Sequence, residues 1–214
     1  MVEKGKFIVI EGIDGGGKTT QLRLAAGYIF GVDKKHKVLM TREPTDSQYG
    51  REIRRLAADP TYTRDPEREV ELFVKDRFFH IRNHVKPALN KGQQVLCDRH
   101  KMSTLAYQSA AGYDLEELFR KHESLDVTPD LTIVLDLDVN TALSRIRLAT
   151  GSKGDNFEGR SYLQEVRKNF KTVTDRLRDK GENIVYINGN RSLDEVAKSV
   201  QTELNILYGI KQAA

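Results

Sequence analysis

Cysteine is nearly absent: the 214-residue chain has one, Cys97. A single thiol cannot build an internal disulfide framework or a multi-cysteine zinc site, and it suits a reducing compartment such as the cytoplasm. No apolar run approaches the roughly 18 residues of a membrane span. Near the start only Phe7 to Ile10 are consecutively apolar, too few for the core of a secretory signal. Neither charge sign dominates. Lysine plus arginine is 35 and aspartate plus glutamate 31, a net +4 with no basic tail or block. Bulk nucleic-acid binding is therefore not implied, while an anionic small substrate is compatible. Without an internal repeat, low-complexity tract or linker, residues 1–214 read as one domain.

What is present is an alternation of short β-rich runs and longer helical patterns. Phe7-Ile8-Val9-Ile10, Val38-Leu39-Met40, Val95-Leu96-Cys97, Leu131 to Leu135 and Ile184 to Ile187 read as five strands. Helical patterns cover about 18–30, 49–58, 66–91, 103–125, 141–149, 160–180 and 192–207. Asp65-Pro66 suits a helix start, Gly92 an end, and Pro87 a kink between them. Strands separated by helices predict an α/β fold, a five-stranded parallel sheet with helices on both faces. The polar, glycine-rich stretch 150–159 is the candidate lid, with residues up to about 160 taken in its span.

The strongest motif is Gly12-Ile13-Asp14-Gly15-Gly16-Gly17-Lys18-Thr19, which matches G-x-x-x-x-G-K-[ST] between a buried strand and a helical pattern. Such a loop turns successive backbone N–H groups inward to make an anion nest, and the helix after it adds the positive end of its dipole. Gly12 to Thr20 are thus the candidate ATP-binding residues. Lys18 is placed to reach the β- and γ-phosphates and Thr19 to bind Mg²⁺. A GTPase's Asn-Lys-x-Asp element and an ABC-type Leu-Ser-Gly-Gly-Gln stretch are both missing, which leaves small-molecule kinases.

Five ordered elements sharpen that class. They are Phe7 to Thr20, Thr41-Arg42-Glu43-Pro44-Thr45, Leu72-Phe73 with Asp76-Arg77, Asp98-Arg99 with Ser103 and Ala106-Tyr107-Gln108, and Pro129 to Thr132 with Leu135-Asp136. Together they resemble the thymidylate kinase family, P-loop nucleoside-monophosphate kinases that phosphorylate dTMP to dTDP with ATP and Mg²⁺. The resemblance implies a homodimer, with ATP and dTMP as ligands. Rival readings are a kinase of the same fold for dUMP or a deoxynucleoside, and a non-catalytic nucleotide-binding P-loop protein.

The resemblance also implies roles. Asp14 faces the acceptor's sugar and accepts from its 3′-hydroxyl; a turn brace is the plain alternative. Arg42 and Arg99 follow strand ends, at the carboxyl edge where open sheets bind ligands, and are assigned to the acceptor phosphate. Asp98 ends an apolar strand as a Walker-B aspartate does and is the candidate metal residue with Thr19; Asp136 is its competitor. Phe73 and Arg77 share a helix face, the ring to stack on the pyrimidine and the guanidinium to reach a carbonyl such as O4, although Phe73 by pattern alone is core. Tyr107 and Gln108 are placed by the deoxyribose and base. The candidate lid cations are Arg145, Arg147, Lys153 and Arg160, with Arg145 and Arg147 taken as catalytic because position 15 is glycine where some family members have arginine. His80 and His84, four apart, make a poor metal pair with no third ligand beside them.

Overall fold

The computed structural model describes residues 4–123, 127–151 and 157–210. Its five strands are β1 (Phe7–Glu11), β2 (Val38–Arg42), β3 (Gln94–Asp98), β4 (Leu131–Asp136) and β5 (Ile184–Asn188). They form one parallel sheet in the order β2-β3-β1-β4-β5. The order reverses at β1, so the chain leaving its carboxyl end enters the crevice where such sheets bind ligands.

Alternation along the strands explains the layering. Ile8, Ile10, Leu96, Leu131 and Ile133 pack against α1 (Lys18–Val32) and α9 (Leu193–Tyr208). Phe7, Val9, Val95 and Cys97 face the other way, against α4 (Lys86–Asn90) and the turn before it. Val134 joins that second layer with α5 (Lys101–Ala110), α6 (Leu115–Glu123), α7 (Val139–Thr150) and α8 (Phe157–Asp179). Both faces are covered, as an all-parallel sheet requires.

Two long helical expectations divide. The 66–91 stretch is α3 (Pro66–His80), a π-helical turn Ile81–Val85 and α4. Asp65 caps its start through Arg68 N, and the backbone stays helical through the π-helical turn into α4, whose second residue is Pro87. The 103–125 stretch breaks at Gly112, whose φ of 92° is outside helical space, into α5 and α6; Leu125 lies outside the described residues. The remaining helix, α2 (Gln48–Ala58), is capped by Ser47. The expected 150–159 loop is shorter at both ends. Thr150 closes α7 and Phe157 opens α8, while residues 152–156, Lys153 among them, lie outside the described residues. No helix among the described residues is long and apolar enough to cross a membrane.

Candidate active site

The loop after β1 is built for close backbone approach. Gly12 has φ 136°, and a Cβ there would come 2.6 Å from the Leu135 carbonyl oxygen. Gly15 has φ 77°, and a Cβ there would strike the Ala142 carbonyl oxygen, so this backbone has no room for an arginine at position 15. The loop ends at Gly17, which caps α1 with no side chain, and the first turn of α1 carries no acidic residue. Its free N–H groups and positive dipole end are therefore open to an anion.

Lys18 is buried and donates to the Ile13 carbonyl oxygen at 2.9 Å. Burial and the like charge of Arg99 pull its pKa down to about 8, against the opposing pull of Asp14, Asp98 and Glu11. Thr19 Oγ1 donates to Asp98 Oδ2 at 2.5 Å. Two hard oxygen donors thus meet at the foot of the loop, a donor set that suits Mg²⁺. Asp136, the competing aspartate, is instead held by Arg167 through two bonds of 2.6 and 2.9 Å. Thr20 is exposed in the first turn of α1.

On the other side of the loop lies a pocket of about 520 Å³. Asp14, Phe73, Arg77, Arg99, Tyr107 and Gln108 all line it. Arg99 adopts φ 69°, a left-handed conformation that non-glycine residues rarely take, at the turn from β3 into α5. Its guanidinium donates to Asp14 Oδ1 at 2.5 Å, to Ser103 Oγ at 2.8 Å and to the Gly12 carbonyl oxygen at 3.3 Å. It also lies 5.0 Å from the Tyr107 ring centroid. The Tyr107 hydroxyl accepts from Asp14 N at 2.9 Å and donates to Asp14 Oδ2 at 3.1 Å. Burial and Asp14 push the Tyr107 hydroxyl up to about 12, so it keeps its proton. Burial acts to raise the Asp14 carboxyl, but Arg99 and Lys18 outweigh it and hold it below its ordinary value. Beneath them Glu11 is wholly buried and accepts from His100 N, Ser103 N and Ser103 Oγ at 2.8, 3.2 and 2.5 Å; burial raises its pKa.

Three pocket residues each present a buried polar atom with no protein partner: Arg77 Nη1, Gln108 Oε1 and His100 Nε2. Orphaned buried polar atoms are costly, and three around one cavity indicate a polar ligand. Arg77 supplies a donor and Gln108 an acceptor. Phe73, half-buried on the wall, is a pocket aromatic and absent from the core clusters.

Other expected residues fall elsewhere. Arg42 is exposed, 3.6 Å from Asp46, and lines a neighbouring groove with Thr19 and Asp98 in place of the acceptor pocket. Arg145 donates to the Gly189 carbonyl oxygen at 3.0 Å, Arg160 to Asn140 Oδ1 at 2.6 Å, and Arg147 is exposed. None of the three lines the pocket. Arg145 and Arg147 are two apart on α7, about 200° around the helix, so they cannot share a direction. His80 and His84 hold no metal cluster among the described residues; His80 instead bonds Glu43 and Thr41, each at 2.8 Å. Cys97 is buried, and burial raises its thiol well above the ordinary range.

Sequence reasoning missed the outer wall of the pocket, which Ile53, Leu56, Tyr62, Arg64 and Tyr162 complete. Tyr162 donates to the Tyr107 carbonyl oxygen at 3.0 Å. It comes from α8, 55 residues away in sequence. No local spacing signals such a contact.

The chain is similar to known proteins over most of its length. The family model described as thymidylate kinase matches residues 10–200. A protein of Desulfotalea psychrophila named thymidylate kinase is 36% identical over 196 residues, 92% of each chain. A probable thymidylate kinase of Archaeoglobus fulgidus is 37% identical, covering 96% of this chain and 98% of its own. The crystal structure of thymidylate kinase from Ehrlichia chaffeensis superposes with a TM-score of 0.74 at 26% identity, over 94% of this chain and 99% of that one.

Proposed function

Because the chain belongs to the thymidylate kinase family, we propose a division of labour for its ATP-dependent phosphorylation of dTMP to dTDP. The observation that carries it is the Asp14–Arg99–Tyr107 cluster, which joins the phosphate loop to a pocket lined by Arg77 and Gln108, each with one buried polar atom lacking a hydrogen-bond partner.

ATP lies along Gly12 to Thr20, its phosphates on the loop N–H groups and Lys18. Thr19 and Asp98 hold Mg²⁺, which neutralises phosphate charge when bound. The thymine stacks on Phe73, with Arg77 donating to O4 and Gln108 accepting from N3–H. Asp14 takes the 3′-hydroxyl, and Tyr107 closes the space at C2′. Arg99 turns toward the acceptor phosphate, which attacks the γ-phosphorus in line. Nothing covalent forms on the chain, so the catalytic contribution is positioning and charge stabilisation. Arg42 reaches the acceptor phosphate only by leaving Asp46. Arg145 or Arg147 completes the charge stabilisation only if the end of α7 moves over the loop as a lid, which would also exclude water. The reading includes a cytoplasmic location and a homodimer. Sedimentation of the purified chain tests the dimer.

A coupled assay for ADP tests the reaction. ADP should form from ATP only when dTMP is added, with dUMP and deoxynucleosides slower. ADP formation indifferent to dTMP would overturn the reading, and faster turnover of another acceptor would reassign the substrate.

A further inference from the structure

Glu43 follows β2 and is buried, 6% exposed, at the wall of the pocket. Burial acts to raise its pKa, but Arg77 and His100 hold the carboxyl well below the ordinary range. Both of its oxygens are engaged. Oε2 accepts from Arg77 Nε at 2.9 Å, and Arg77 Nη2 lies 2.8 Å from the same oxygen as an ion-pair contact. Oε1 receives His80 Nδ1 at 2.8 Å and His100 Nδ1 at 3.0 Å. Three donors and one ion-pair contact occupy the two oxygens, so Glu43 is committed to protein partners although it borders the pocket. An ionised carboxylate only accepts, so both Nδ1 atoms carry their protons toward it.

We infer that Glu43 is a positioning residue for base recognition, fixing at the pocket wall the Arg77 guanidinium, one nitrogen of which has no hydrogen-bond partner. The inference rests on the proposed reading of Arg77 as the group that meets the thymine carbonyl. Arg77 is 1% exposed, and its remaining side-chain bond is from Nη2 to Thr104 Oγ1 at 2.8 Å. Without the carboxylate, that one hydroxyl would leave the planar fork free to pivot. A mis-aimed fork forfeits most of a directional hydrogen bond. The histidines hold Glu43 from two further places. His80 is one turn along α3 from Arg77, and its Nε2 is 2.8 Å from Thr41 Oγ1 on β2. His100 follows Arg99 directly in the chain. The carboxylate therefore ties the end of β2, the helix that carries the base reader and the turn that carries the phosphate arginine.

The test uses Glu43→Gln and His80→Gln, with Arg77→Ala as control, each checked for fold by circular dichroism. His80 lines no part of the pocket, and glutamine there can keep the bond to Thr41 while losing the one to Glu43. Steady-state kinetics are measured with dTMP, with ATP, and with 5-methyl-2′-deoxycytidine monophosphate, which presents an amino group where thymine has O4. Glu43→Gln should raise KM for dTMP about tenfold and His80→Gln about threefold, with kcat and KM for ATP changed less than about twofold. The preference for dTMP over the cytosine analogue should shrink in the same order. An unchanged KM for dTMP in a folded Glu43→Gln protein overturns the inference, as does an equal rise for ATP. If Glu43→Gln does not fold, His80→Gln decides on the same readings. Should Arg77→Ala leave KM for dTMP unchanged, the base-reading assignment itself fails; a rise there without one in the other two variants rejects Glu43 alone.

Discussion

Arg99 donates to Asp14 at 2.5 Å, joining the turn after β3 to the phosphate loop after β1. Both residues are assigned to dTMP, so the pair is a preformed clamp whose members exchange each other for substrate. Asp14→Ala should raise KM for dTMP about tenfold, through loss of the 3′-hydroxyl acceptor and a guanidinium left without its carboxylate. KM for ATP should change much less. Initial-rate kinetics with each nucleotide varied in turn give the comparison, and equal effects on both would detach Asp14 from the acceptor.

Lys18 gives a pH prediction. Its pKa in the free protein is pulled down to about 8 from 10.5. The ammonium is therefore lost as pH rises through about 8, and bound phosphate restores it. We expect kcat/KM for ATP to fall above about pH 8 while kcat holds to higher pH. The stability effect has the opposite slope. Between about pH 8 and 10.5 the unfolded chain keeps a proton that the folded one lacks, so this group makes stability rise with pH there. Denaturant titrations of wild type and Lys18→Met across that window should show the difference in slope. Lys18→Ala should abolish transfer without unfolding the chain.

The legibility of the site follows the range of its contacts. The phosphate loop was readable because a strand, four glycines and Lys18-Thr19 lie within one short stretch. The strand sequence and the parallel sheet followed from alternation of element types. Arg77 was assigned through the family resemblance, its spacing from Phe73 giving only a shared helix face; its partner Glu43 is 34 residues away and nothing local links them. Helix boundaries failed where a single residue decides them, as at Gly112. The lid cations rested on the family resemblance and the glycine at position 15, and neither says which way a helix turns; Arg145 donates to the Gly189 carbonyl oxygen.

The lid assignment therefore has a sharp test. Alanine is placed singly at Arg145, Arg147 and Arg160, and turnover is measured at saturating substrate. An arginine that meets the transferring phosphoryl group is worth on the order of 10³-fold in rate. One of the three should show a loss of that order with little change in ATP affinity. Near-normal turnover in all three would remove the lid arginines from the chemistry.

Tyr107 makes the sugar prediction. Its hydroxyl is fixed on Asp14 and its ring stands edge-on to Tyr162 and Phe170, with centroids 6.2 and 6.3 Å away. A rigid ring beside C2′ leaves an added hydroxyl buried without a partner, a penalty of about 1–3 kcal/mol. Wild type should prefer dTMP over its ribonucleotide counterpart, and Tyr107→Ala should shrink that ratio about tenfold or more, chiefly by weakening dTMP. An unchanged ratio of specificity constants would make Tyr107 an ordinary packing aromatic.

The account rests above all on Arg77 and Gln108 reading the thymine edge while Arg99 takes the phosphate. A crystal structure of the protein with dTMP measures this directly. The account predicts Arg77 Nη1 at about 3 Å from thymine O4, Gln108 Oε1 at about 3 Å from N3, and the Arg99 guanidinium on the acceptor phosphate. Thymine bound with its O4 and N3 away from both side chains, or a phosphate that leaves Arg99 on Asp14, would contradict it.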